Sequence, residues 1–117
     1  LQSSEQIALE LVIKKVFIIT TNIAGLILDS GATVDTLGKD HQALATAVAN
    51  EVIDIQEHLT GQTFDRSSLI NGMVKAMNGD LEHKCMGRSA PDRLKRALHL
   101  ADEAQINPEQ LLIIASS

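Results

Sequence analysis

The stretch Val16–Leu28, VFIITTNIAGLIL, decides how the chain is read. Apart from Thr20, Thr21, Asn22 and Gly25, every side chain in it is apolar. The apolar residues do not keep to the alternate positions of a half-buried strand. At 100° per residue they spread around most of a helix, and a helix that is apolar nearly all round is one that other elements cover. A membrane span is the competing reading, and it needs about 20 predominantly apolar residues. Here Lys14 and Lys15 stop the run at one end, Asp29 stops it at the other, and the Thr-Thr-Asn trio breaks its middle. The expectation is a buried helix of a soluble protein, with no membrane involvement.

Extended outward, the helix is expected to run from Glu5 to Ser30. Ser3 or Ser4 caps it, with Gln6 completing a capping box, and Gly31 ends it. One broad arc gathers Ala8, Leu9, Val12, Ile13, Val16, Ile19, Ile23, Leu26 and Ile27, with Thr20 as its polar intruder. The opposite arc mixes Glu10, Lys14, Thr21 and Asp29 with Leu11 and Ile18. Apolar helix surface gains roughly 25 cal/mol per Å² on burial, so any face left over seeks cover. Leu11, Ile18 and Leu28 are the candidates for that leftover face, and a second copy of the chain is the most economical cover.

Beyond the connector SGATVDTLGKD, in which Asp35 is a candidate cap, a second long helix is expected from Asp40 to Leu59, ended by Gly61. Leu44, Val48, Val52, Ile55 and Leu59 form a narrow apolar stripe on it, and Asp40, Glu51, Asp54 and Glu57 make its other side acidic. Glu51, Asp54 and Glu57 join the candidate partner-contact residues. A third helix starts at Asp65 or Thr63 and ends at Gly79, with Leu69, Ile70, Met73, Val74 and Met77 inward. A short helical turn is expected over Leu81–Met86. Then come a helix capped by Ser89, with Leu94, Ala97, Leu98, Ala101 and Ala104 inward, and a last helix capped by Asn107. No segment alternates between hairpin turns as strands do. The expected fold is all-α: one domain over 1–117, a compact bundle of five to six helices around a long, largely buried first helix.

Composition narrows the function classes. Apolar residues make up 44% and charged residues 21%, a globular balance. Phe17 and Phe64 are the only aromatics, which leaves no stacking platform for single-stranded nucleic acid. The net charge of −5 disfavours broad binding to phosphate backbones. Cys85 is the single cysteine, so no internal disulfide forms, and a reducing cytoplasm is the expected setting. The first residues do not read as a basic-then-apolar leader.

No GxSxG, HExxH or phosphate-binding glycine loop occurs, so no catalytic residue and no cofactor is assigned. Glu51, Asp54 and His58 share a helix face and invite a cation. The Glu-x-x-His pattern of di-iron bundles is missing, a solvated acidic face is the plainer reading, and no metal is assigned. Cys85 sits beside His83 and Lys84, a setting that favours thiolate, but its spacing from Leu81 points it to the core.

The charges are bipolar along the chain. Acids dominate from Asp29 to Asp65, and Lys84, Arg88, Arg93, Lys95 and Arg96 face only Asp92 further on. Arg88, Arg93, Lys95 and Arg96 are therefore candidates for binding an anion or nucleic acid. Residues 93–114 read helix, short turn, helix, with Ala101 and Ile106 spaced as in helix-turn-helix modules, which that segment resembles. Gln105 stands where those motifs usually carry glycine, and the would-be recognition helix PEQLLIIASS has no basic residue. The leading expectation is a non-catalytic protein that acts by association, as a homodimer or as an adaptor for another protein. The alternative is a DNA-binding regulator using 93–114.

Overall fold

The apolar run of the first helix stops sooner than its composition implies. In the computed structural model, which describes residues 4–28, 31–85 and 90–116 (side chains from residue 9 onward), α1 spans Ser4–Gly25. Near its end Thr21 Oγ1 donates to Phe17 O at 2.9 Å and Asn22 Nδ2 donates to Ile18 O at 2.9 Å. Short polar side chains that bond nearby carbonyls weaken a helix, and Gly25 follows at once. The amides of Leu26, Ile27 and Leu28 then donate to Ile23, Ala24 and Gly25, three residues back, which tightens the chain into a turn. Gly31 therefore does not end this helix, and Ile27, expected inward, is 38% exposed.

The fold is all-α. Among the described residues, α2 (Val34–Asp40), α3 (Gln42–Thr60), α4 (Arg66–Asn78), α5 (Ala90–Glu103) and α6 (Glu109–Ala115) follow α1. The first helix packs against α3, α4 and α5 and also touches α2 and α6. Its C-terminal half is buried, with Val16 and the run from Thr20 to Gly25 out of solvent, while Glu10, Leu11, Lys14 and Lys15 stay exposed. The core is aliphatic: Ile23, Leu37, Ile53, Leu69 and Leu111 lose all exposure. Each such side chain contributes about 1.5–3 kcal/mol relative to leaving it in water. Phe17 and Phe64 pack at the margin of this cluster.

The chain between helices departs from expectation in three places. Thr33, not Asp35, caps α2, its Oγ1 accepting from the Thr36 amide at 3.4 Å. Residues 81–85 do not form a helical turn. They run antiparallel to 32–35: Val34 N–H donates to His83 O at 2.8 Å, Asp35 N–H to Leu81 O at 3.0 Å and Cys85 N–H to Ala32 O at 3.0 Å. These long-range bonds satisfy the backbone better than a single isolated helical turn would. Cys85 is buried by this lacing, while Leu81 is exposed. Finally, Asn107 does not cap α6; Pro108 precedes it without a side-chain bond of its own.

Elsewhere local rules hold. Asp65 caps α4 through the Ser67 amide at 3.1 Å, and Gly61 ends α3 with φ 68°, where a side chain would be strained. The α5–α6 turn places Gln105 at φ 59°, with Gln105 N–H bonded to Asp102 O and Ile106 N–H to Ala101 O. This is a Schellman ending, so Gln105 fills the left-handed position a glycine would fill at lower cost. Of the apolar residues expected inward, Val74 and Leu59 are exposed. The caps expected at Ser3 or Ser4 and at Ser89, and the basic candidate Arg88, lie outside the described residues and side chains.

Candidate functional site

The acidic side of α3 is engaged within the fold. Glu51 reaches across to α6, where its carboxylate accepts from the Gln110 amide at 2.8 Å and the Leu111 amide at 3.0 Å. It thus supplies the cap that Asn107 was expected to give, and a negative charge at a helix N-terminus is favourable. Asp54 and Glu57 hold Arg66, whose Nη2 bonds both, at 2.9 Å to Glu57; its Nη1 bonds Asn50 O at 3.1 Å. Glu57 also accepts from the Phe64 amide at 2.8 Å. That bond, helped by Arg66 and opposed by burial, holds the Glu57 carboxyl below its ordinary range. Burial works against the Arg66 charge, yet the bonds to Asp54 and Glu57 outweigh it and raise its pKa.

This clamp corrects the reading of that face as a solvated one, because its carboxylates are bonded within the fold. Glu51 and Asp54 point to different partners, and His58 is exposed. Among the described residues no three of His, Cys, Asp or Glu are grouped to hold a metal ion. Cys85 is likewise not in a thiolate setting: burial pushes its thiol pKa up, and His83 turns its Nδ1 to Asp80 Oδ2 at 3.6 Å.

The basic candidates separate. Arg93 and Arg96 face a cleft of about 180 Å³ between α1, α3 and α5, into which Lys15 of α1 also projects. Lys95, about 200° round α5 from Arg93, lies on the other side of the helix and does not line the cleft. In α6, Leu111 and Ile114 are buried, while Glu109, Leu112 and Ile113 face outward. No basic residue sits on that outward face, and the amides of Gln110 and Leu111 already donate to Glu51.

A wide concavity lies between α1 and α4. It is an open groove of about 940 Å³ with Leu9, Ile13, Phe17, Ile18 and Ala76 on its floor. Its rim carries both signs, Lys14 and Lys75 with Asp80. Gly72 shapes the floor, because its missing side chain admits Ile13. Leu11 stands two turns before Ile18 on the same side of α1 and is 63% exposed. Leu28 is not gathered with them; it sits past the helix end beside Gly31, Thr36 and His41.

Sequence reasoning missed Lys15 and Gly72. A glycine inside a helical pattern, and two lysines interrupting an apolar run, were the available signals. No protein-family model, characterised protein or solved structure matches the chain. No helix among the described residues is long and apolar enough to cross a membrane.

Proposed function

We propose that the protein acts by association rather than by chemistry, as a homodimer joined through the α1–α4 groove. The observation that carries this reading is the uncovered face of α1 around Leu11, which is 63% exposed beside a groove floored by Ile13, Phe17 and Ile18. A two-fold axis lays the same patch against itself, so each apolar floor receives the other copy's exposed ridge. The mixed rim of Lys14, Lys75 and Asp80 supports a second copy over a strongly charged partner, since two-fold pairing sets opposite signs against each other. A reducing cytoplasmic setting belongs to the same proposal, and the buried free thiol of Cys85 supports it.

Sedimentation equilibrium over a range of concentrations tests it. Twice the chain mass is expected for the native protein, and Leu11→Glu is expected to shift the equilibrium to monomer. Leu11 is exposed in the isolated chain, so this variant keeps its helicity and unfolding midpoint at monomer concentrations. A native protein that stays monomeric at high concentration, or a dimer indifferent to Leu11→Glu, overturns the reading.

A further inference from the structure

The cleft between α1, α3 and α5 is a separate feature, independent of the α1–α4 groove. Its floor is apolar, with Val52, Ile55 and Ala97 buried and Ile19 and Leu100 partly so. Its charged residues are Lys15, Arg93 and Arg96, all cations. In a chain with 15 acids against 10 Lys and Arg, a cluster of three cations is expected to find carboxylates. Among the described residues these three make no ion pair.

Two of the polar side chains that line the cleft have unpaired groups as well. Arg93 Nε is buried with no acceptor. Gln56, only 6% exposed, lines the same cleft, and its side-chain amide makes no hydrogen bond among the described residues. Buried polar groups are normally satisfied, and an orphan donor carries its desolvation cost in full. Donors and positive charge above an apolar floor call for an anion with an apolar body.

We propose that this cleft binds a carboxylate carried on a short apolar group. Arg93 offers the paired N–H geometry that a carboxylate accepts bidentately, and Gln56 supplies a further donor from α3. Lys15 and Arg96 draw the charge in from either side, and Ile19, Ile55 and Leu100 meet the apolar body. The volume of about 180 Å³ falls below that of sites enclosing larger ligands, which limits the apolar part to a short chain or one side chain. The same chemistry is carried by a free short-chain acid and by a peptide C-terminus ending in an apolar residue.

Titration of the native protein with hexanoate and with N-acetyl-leucine, followed by calorimetry and by amide shifts of Gln56 and Arg93, tests the proposal. Saturable binding of at least one is expected, with acetate and hexylammonium failing to bind. Tighter binding of hexanoate identifies a free acid as the natural ligand class; tighter binding of N-acetyl-leucine identifies a peptide end. Arg93→Met keeps the alkyl stem and is expected to weaken binding by about tenfold or more. Gln56→Glu sets a like charge against the ligand and abolishes it. Should either core-facing variant fail to fold, the exposed pair Lys15→Gln with Arg96→Gln serves instead, and weaker binding with a shallower salt dependence is expected. Leu11→Glu leaves carboxylate binding unchanged, so failure of the dimer reading does not touch this one. Absence of binding by both acids, equal binding of hexylammonium, or binding indifferent to the Arg93 or Lys15/Arg96 changes overturns the proposal.

Discussion

Thr20 sits at the centre of the apolar arc of α1, wholly buried, and its hydroxyl has no hydrogen-bond partner. Its neighbours differ: Thr21 and Asn22 discharge theirs onto the carbonyls of Phe17 and Ile18. An unmatched buried hydroxyl costs about 1–3 kcal/mol, and valine keeps the branched shape without it. Thr20→Val is expected to raise stability by about 1 kcal/mol, read as a higher urea midpoint at unchanged slope. Glu57 works the other way. The Phe64 amide, with Arg66, lowers its folded-state pKa, so its contribution is fully present above the ordinary glutamate value of about 4.3 and drains as pH falls below it. Glu57→Gln is expected to lose about 1–2 kcal/mol near neutral pH and to flatten the acid side of the stability profile. Denaturation midpoints for both proteins across the acid range check this.

At the scale of elements, the contact of α1 with α4 turns on one absent side chain. A Cβ on Gly72 would stand 2.6 Å from Ile13 Cδ1 and 3.1 Å from Ile13 Cγ1 and Cγ2. Glycine inside a helix costs about 1 kcal/mol against alanine, yet Gly72 lets Ile13 seat against α4. Gly72→Ala alone is expected to destabilise by about 1–2 kcal/mol, whereas in an Ile13→Ala background it gains about 1 kcal/mol. A double-mutant cycle by chemical denaturation measures that reversal. Helices were the most legible part of the fold. The girdle of Val16, Ile19 and Ile23 marked α1 as central, and Asp65, Gly61 and Gly79 marked ends that the structure keeps. Segment 81–85 was not legible, because its backbone bonds go to residues 32–35 and no local pattern announces that pairing. Periodicity also overreached: the stripe placed Leu59 inward, but it lies at the last turn of α3 and is 48% exposed.

For the whole molecule, periodicity shows which way a residue faces but not what lies opposite. Arg93 and Arg96 were readable as a basic pair, whereas Lys15, nearly eighty positions earlier, and Gln56 joined them only through packing of three helices. Glu51, Asp54 and Glu57 read as an outward acidic face for the same reason; their partners Gln110, Leu111 and Arg66 are remote in sequence or on another element. Glu51→Ala is expected to cost about 1–2 kcal/mol and to speed hydrogen exchange at the Gln110 and Leu111 amides ahead of those in α3. Heteronuclear NMR of both proteins checks the order.

That reach from α3 to α6 also sets a sequence of events during synthesis. The seven residues Glu109–Ala115 are too few to hold a helix unaided. Their amides meet a carboxylate laid down some sixty positions before them. On a translating ribosome the earlier helices can gather before α6 has been made. When α6 emerges it finds Glu51 already in place on α3, and that docking is what fixes α6 to the rest of the bundle.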